Sequence, residues 1–129
     1  MTNEMKDIKV LVADDEVEFA NTLVTRLKLR DFKASMANSG KATIASIEKD
    51  KPDVLILDLK MPDLDGLEVL GKLREVAPDV QVIIVTGHGS FEAGREGMEL
   101  GAFDYIMKPV DLSLLVEKIK DATNARLSG

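Results

Sequence analysis

The chain has 129 residues, about the size of one domain, and a net charge of −6. It has no cysteine and one histidine, which excludes a disulfide framework, a thiolate metal site and a site built from two histidines. The acidic charge argues against direct nucleic-acid binding, and no run approaches the roughly 20 apolar residues of a membrane span. We predict one cytoplasmic domain over residues 1–129.

Five short hydrophobic runs alternate with segments of helical pattern. The runs cover 8–13, 32–37, 54–57, 81–86 and 103–107. The third and fourth are almost wholly aliphatic, as expected of strands that are covered by helices on both faces. This alternation predicts βα units and a parallel sheet.

Helical patterns fill the intervals between these runs. They are predicted over 16–29, 40–49, 65–77, part of 87–101, and 112–126. The fourth helix is unusual, because Gly94 and Gly97 lie inside it and each costs about 1 kcal/mol relative to alanine. Two interpretations stay open: a short surface helix of low stability, or a segment kept marginal because it must move.

Residues that can handle a metal ion or a phosphoryl group stand at the ends of four of the runs. These are Asp14 and Asp15 after the first run, Asp58 after the third, Thr86 at the end of the fourth and Lys108 after the fifth. Parallel strands present their carboxyl ends at one edge of the sheet, and ligands bind there where the strand order reverses. We therefore expect these groups to converge.

Three carboxylates in one crevice would repel one another. Two unit charges about 5 Å apart at an effective dielectric near 20 interact by roughly 3 kcal/mol. A ligand set of oxygens favours Mg²⁺, which would bridge Asp58 and one or both of Asp14 and Asp15. For Asp14 and Asp15 taken alone, a helix-capping role stays open. Lys108 and Thr86 suit phosphoryl transfer, with Asp58 as the nucleophile that forms an aspartyl phosphate.

Four segments in this order and spacing carry a resemblance to a known family: VLVADDE, VLILDLKMPDLDGLEVL, VIIVTGHGS and AFDYIMKP. Over about 8–126 the chain resembles the CheY-like receiver domain of two-component response regulators. The resemblance implies an α/β fold of the flavodoxin-like type, (βα)5 and doubly wound, with five parallel strands in the order 2-1-3-4-5.

The resemblance also implies a chemical role for the residues that match the family's site. Asp58 would be the phosphoacceptor, which receives its phosphoryl group from a sensor histidine kinase. Asp14, Asp15, Asp58 and the backbone carbonyl of Lys60 would bind Mg²⁺.

Further residues would contact the phosphoryl group or respond to it. Thr86 and Lys108 would contact it, and Tyr105 would turn inward when Thr86 moves. The Lys108–Pro109 peptide would be cis. The fourth helix, fifth strand and fifth helix would form the readout face.

Lys60 and His88 lie where the family is variable. They are either solvated surface side chains or rim residues that affect attack of water on the phosphate. In the second case, Lys60→Ala or His88→Ala changes the dephosphorylation rate without abolishing phosphorylation. We expect a switch with slow self-dephosphorylation rather than an enzyme.

Two other classes of protein compete with this interpretation. A Mg²⁺-dependent phosphatase with an aspartyl phosphate intermediate, of the haloacid dehalogenase type, carries a second Asp two residues after the nucleophile, where this chain has Lys60. A flavodoxin-like FMN carrier needs a phosphate loop after the first strand, where this chain has three acids.

The output of the switch stays open in the sequence. The chain is either a stand-alone receiver that acts on a downstream protein, which we prefer, or a receiver cut from a longer regulator that has a DNA-binding effector domain. A phosphorylation-dependent homodimer is a further expectation.

Overall fold

The computed structural model describes residues 8–87 and 91–128. In this part of the chain, five strands alternate with five helices. The strands are β1 (Lys9–Ala13), β2 (Lys33–Ala37), β3 (Val54–Asp58), β4 (Gln81–Thr86) and β5 (Asp104–Met107). The helices are α1 (Val17–Lys28), α2 (Gly40–Lys49), α3 (Gly66–Val76), α4 (Phe91–Glu99) and α5 (Leu112–Ser128). None of the described helices is long and apolar enough to cross a membrane.

All paired strands run parallel, in the order β2-β1-β3-β4-β5. The predicted fold class and strand order are therefore confirmed. The chain moves outward from β1 to β2, returns to β3 on the other side of β1, and then proceeds in one direction. The reversal of strand order between β1 and β3 opens a crevice at their carboxyl ends.

Side chains of the central strands pack into two separate cores, one on each face of the sheet, because successive strand residues point to opposite faces. On one face, Val10, Ile56 and Ile83 pack with residues of α1 and α5. On the other, Leu55 and Ile84 pack with residues of α2 and α3. Every residue of β3 is buried, as its aliphatic sequence predicted.

Side-chain caps fix where the helices next to the crevice begin. The Ser39 hydroxyl accepts a hydrogen bond from the Ala42 N–H at 3.0 Å at the start of α2. The Asp65 carboxylate accepts from the Leu67 N–H at 3.0 Å at the start of α3. Asp111 caps α5 by accepting from Leu114 at 3.2 Å.

Hydrogen bonds hold the loop between β3 and α3 in place. The Asp63 carboxylate accepts hydrogen bonds from the backbone N–H groups of Gly40 at 2.8 Å and Lys41 at 2.9 Å, at the first turn of α2. The Gly66 N–H donates to the Leu59 carbonyl at 2.9 Å. This loop follows Asp58 directly, so these bonds fix the backbone beside that residue.

The two glycines inside α4 lie on the face that contacts the sheet. Both are buried, and a Cβ atom at Gly97 would overlap Cδ1 of Ile84 on β4. A Cβ at Gly94 would lie 3.2 Å from Cδ2 of the Tyr105 ring on β5. Close packing on the sheet is a reason for these glycines that neither sequence interpretation included. Mobility of the helix stays a prediction.

This packing predicts that Gly97→Ala destabilises the protein. The added methyl overpacks a contact with a fully buried side chain, which costs about 1–3 kcal/mol, and the gain in helix propensity of about 1 kcal/mol offsets only part of it. We expect the free energy of unfolding in urea to fall by about 1 kcal/mol.

Gly71→Ala is the matched control. Gly71 lies in the middle of α3, and a Cβ there meets nothing within 4 Å, so this change should stabilise the protein by about 1 kcal/mol. Ile84→Val removes the overlapping Cδ1 atom. It should lower the free energy of unfolding less in the Gly97→Ala background than in the wild type. An equal loss of stability in the two backgrounds would contradict the packing explanation.

Candidate functional site

Four of the polar residues predicted from the strand ends lie at the carboxyl edge of the sheet. Asp58 and Thr86 are the last residues of β3 and β4. Asp14 follows the end of β1, and Lys108 follows the end of β5. Parallel pairing in register carries these residues, which are distant in sequence, to one side of the fold.

The Asp14 side chain is almost completely buried, with 1% of its surface exposed. Its Oδ1 atom accepts a hydrogen bond from the Glu16 backbone N–H at 2.9 Å. Its own backbone is held as well, because the carbonyl accepts from Nδ2 of Asn38 at 2.9 Å. Asp14 therefore stands in a fixed position at the floor of the crevice.

The Asp58 carboxylate is also buried, with 6% of the residue exposed, and Oδ1 accepts from the Lys60 backbone N–H at 3.1 Å. Burial raises the pKa of Asp58 to about 6, because an apolar surrounding disfavours the charged form. The Lys60 hydrogen bond and the Lys108 charge oppose this rise in pKa, while the charges of Asp14 and Asp15 add to it. The net result is that the pKa of Asp58 lies above the ordinary value of 3.8 when no metal ion is bound.

Lys108 supplies the positive charge of the crevice. Its Nζ atom lies 2.7 Å from Oε1 of Glu16, 3.1 Å from Oδ2 of Asp14 and 3.7 Å from Oδ2 of Asp58. The same atom stands 4.5 Å from the centroid of the Phe19 ring. Burial alone would lower the pKa of Lys108, but the bonds to Glu16 and Asp14 outweigh it, so the pKa is raised.

Carboxylate oxygens of Asp14, Glu16 and Asp58 lie within 4.8 Å of one another, the one such acidic group found in the described ranges 8–87 and 91–128. Three carboxylates outnumber the single lysine, so the crevice has an excess of negative charge. Hard oxygen ligands with no sulfur or imidazole suit Mg²⁺, and the residues therefore fit this ion.

Asp15 does not belong to that acidic group, although the sequence predicted it as a ligand. Its side chain is exposed. It still lies near enough to raise the pKa of Asp58 through its charge. A cleft of about 560 Å³ opens beside Asp15 and the β3–α3 loop, reaching Leu67 of α3 and Ala93 of α4. The predicted part of Asp15 in metal binding stays a prediction.

The residues predicted to register phosphorylation lie on the two neighbouring strands β4 and β5. Thr86 has 2% of its surface exposed, and its carbonyl accepts from the Lys108 backbone N–H at 2.7 Å. Tyr105 is half-buried, with its ring beside Gly94. The Lys108–Pro109 peptide bond is cis, as the resemblance implied.

Of the two residues considered for the rim of the site, Lys60 has an exposed side chain. The other, His88, lies outside the described residues.

The sequence did not predict two of the residues that contact Lys108, Glu16 and Phe19. Glu16 is the third acid of an Asp-Asp-Glu run, which signalled a further carboxylate at this strand end. Phe19 lies in α1 and is partly buried against the core that this helix shares with α5. Its contact with Lys108 joins α1 to the end of β5, and no sequence pattern links two residues so far apart.

Comparison with known proteins identifies the family. The family model of the response regulator receiver domain matches residues 10–120. A receiver domain from Clostridium thermocellum shares 32% identity with a TM-score of 0.88, over 92% of this chain and 96% of that one. A CheY-like receiver domain from Methanospirillum hungatei shares 30% identity with a TM-score of 0.89, over 94% and 97%.

Curated relatives are longer than this chain. The transcriptional regulatory protein FixJ of Rhizobium meliloti is 34% identical over 92% of this chain and 58% of its own length. The regulatory protein AtoC of Escherichia coli is 34% identical over 83% of this chain and 23% of its own length. With its matched sequence, parallel fold and acidic crevice, the chain belongs to the family of response regulator receiver domains.

Proposed function

We propose that Asp58 is the phosphoacceptor of this receiver domain and that its phosphorylation operates a signalling switch. The observation that supports this most directly is the meeting of Asp58 with Lys108 and Asp14 in one crevice. A nucleophilic carboxylate, a cation for the incoming oxygens and a further acid for a metal are the parts that phosphoryl transfer needs.

In the proposed reaction, an oxygen of the Asp58 carboxylate attacks the phosphorus atom of a phosphohistidine on a sensor histidine kinase. The O–P bond forms as the donor's P–N bond breaks, and the released imidazole takes up a proton. Lys108 and the Thr86 hydroxyl hold phosphoryl oxygens. Positioning and charge neutralisation supply most of the catalysis in such transfers.

Mg²⁺, when bound, neutralises charge between the acidic side chains and the phosphoryl group. Asp14 and Asp58 would hold it, together with Asp15 and the carbonyl of Lys60. The β3–α3 loop supports this assignment, because its bonds to α2 fix the backbone beside Asp58.

The switch would act as a shift between two populated arrangements. Phosphorylation adds negative charge and acceptor oxygens at Asp58, which draw Thr86 inward and leave room for Tyr105 to follow. The contact between Tyr105 and Gly94 supports α4, β5 and α5 as the readout face, because a moving ring would change how α4 packs.

Dephosphorylation without a partner would be slow, consistent with a switch rather than an enzyme, and the exposed Lys60 would affect its rate.

The output of the switch is also a proposal. Several relatives are named transcriptional regulatory proteins, and this chain spans only part of their length. A DNA-binding effector in the same polypeptide, a separate downstream protein and a phosphorylation-dependent homodimer are the outputs that fit, and we place the domain in the cytoplasm.

Asp58→Asn is expected to abolish phosphoryl uptake from a small acyl phosphate in the presence of Mg²⁺. The amide removes the nucleophilic charge with little change in size. Intact-mass spectrometry should detect one added phosphoryl group on the wild type and on Asp121→Asn, an exposed acid of α5 that serves as a control. Equal modification of Asp58→Asn would exclude Asp58 as the acceptor.

The raised pKa of Asp58 predicts a pH dependence of stability in the metal-free protein. A folded-state pKa of about 6, above the ordinary value of 3.8, means that this group destabilises the fold increasingly as pH rises from about 4 to 6. Asp58→Asn should therefore raise the melting temperature more at pH 7.5 than at pH 4.5. A gain of the same size at both pH values would contradict the raised pKa.

Thr86→Ala should separate phosphoryl binding from its readout. With Mg²⁺ and beryllofluoride, amide NMR signals of α4, β5 and α5 should shift in the wild type, because the Thr86 hydroxyl follows the phosphoryl mimic. In Thr86→Ala the shifts should stay confined to the crevice. Far shifts as large as those of the wild type in this variant would exclude Thr86 as the relay.

A further inference from the structure

The carboxylate that lies closest to Lys108 is Glu16 rather than Asp14 or Asp58. Glu16 Oε1 lies 2.7 Å from Nζ, and the Asp58 oxygen lies 3.7 Å away. Glu16 is the N-cap residue of α1, yet its side chain makes no capping hydrogen bond to that helix. The carboxylate is directed to the lysine instead.

The position of Glu16 is determined by the site itself. Its backbone N–H donates to Oδ1 of Asp14 at 2.9 Å, while Asp14 Oδ2 bonds to Lys108 at 3.1 Å. Asp14, Glu16 and Lys108 therefore form a closed ring of contacts at the rim of the crevice. The Phe19 ring, 4.5 Å from Nζ, covers another side of the ammonium group.

We infer that Glu16 is a positioning residue that holds Lys108 in the resting state and opposes phosphoryl binding at Asp58. The inference rests on the proposed function and deepens it. An ammonium has three N–H donors, and two of them are directed to Glu16 and Asp14 in this arrangement. The bond to Glu16 therefore competes with a phosphoryl oxygen for the charge and the position of the ammonium group.

Charge acts in the same direction as this competition. A Glu16 oxygen lies within 4.8 Å of an Asp58 oxygen, so its carboxylate repels a phosphoryl group added there. Glu16 thus favours the unphosphorylated state by holding the lysine and by its own charge. Metal binding by Glu16 is the opposing assignment, and it predicts effects of the opposite sign.

The inference is tested with the variant Glu16→Gln. Calorimetry measures its affinity for beryllofluoride at saturating Mg²⁺ and compares it with that of the wild type. We expect the variant to bind beryllofluoride about fivefold more tightly than the wild type. A change of this size corresponds to the free energy of one partly exposed ion pair. Its Mg²⁺ dissociation constant, measured without beryllofluoride, should stay within about twofold. Glu18→Gln is the matched control, because it removes the same charge from an exposed position two residues away on α1.

A double-mutant cycle with Lys108→Ala distinguishes the lysine contact from simple repulsion. If Glu16 acts through Lys108, Glu16→Gln should tighten beryllofluoride binding clearly less in the Lys108→Ala background. A gain of the same size in both backgrounds would overturn the positioning role.

The remaining outcomes also decide the matter. Weaker binding of Mg²⁺ and beryllofluoride by Glu16→Gln would make Glu16 a metal ligand and overturn the inference. Unchanged affinity in Glu16→Gln, with normal binding by the wild type, would also overturn it while leaving the proposed function in place. If the wild type itself failed to bind beryllofluoride, the proposed function would fail.

Discussion

The site depends on one cation, Lys108, which is shared by two buried carboxylates and by the exposed Glu16. Asp14 and Asp58 are almost fully buried, and a buried charge is costly unless it is paired. Lys108, 94 positions after Asp14 in the chain, supplies that pairing and brings the end of β5 to the ends of β1 and β3. Because one lysine pairs with three acids, the crevice keeps an excess of negative charge, which fits the binding of a metal ion.

The fold supports this charged crevice with rigid surroundings. The caps of α2 and α3 lie next to it, and Asp63 joins the β3–α3 loop to the first turn of α2. Charged groups therefore keep their positions even though they repel one another. Fixed charged groups of this kind interact strongly with an added charge, because they are already in position when it arrives.

The α4 side of the domain is built differently. Its contact with the sheet is made through glycines, so the helix lies close to β4 and the Tyr105 ring lies directly against the helix backbone. Movement of that ring would therefore alter the helix contact itself. Tight packing would not prevent such a rearrangement, because the contact involves few side chains that would have to repack.

The sequence by itself determined the alternation of strands and helices and the strand-end positions of Asp58, Thr86 and Lys108. Hydrophobic runs of strand length reveal these, and parallel pairing then requires the strand ends to converge. The strand order was predicted through the family resemblance and is confirmed by the fold. The caps at Ser39 and Asp65 depend on local chemistry that a few neighbouring residues specify.

Only the tertiary structure decided which acid lies closest to Lys108. Asp15 and Glu16 are neighbours of like charge, and no periodic pattern tells which of them turns into the crevice. Both side chains are exposed, and it is the backbone after β1 that brings Glu16 to the lysine at the rim of the crevice. The glycines of α4 show the same limit, since propensity measures the cost of glycine within a helix but not the space that Ile84 and Tyr105 require from across the sheet. Both outcomes depend on contacts between distant parts of the chain, which local sequence does not encode.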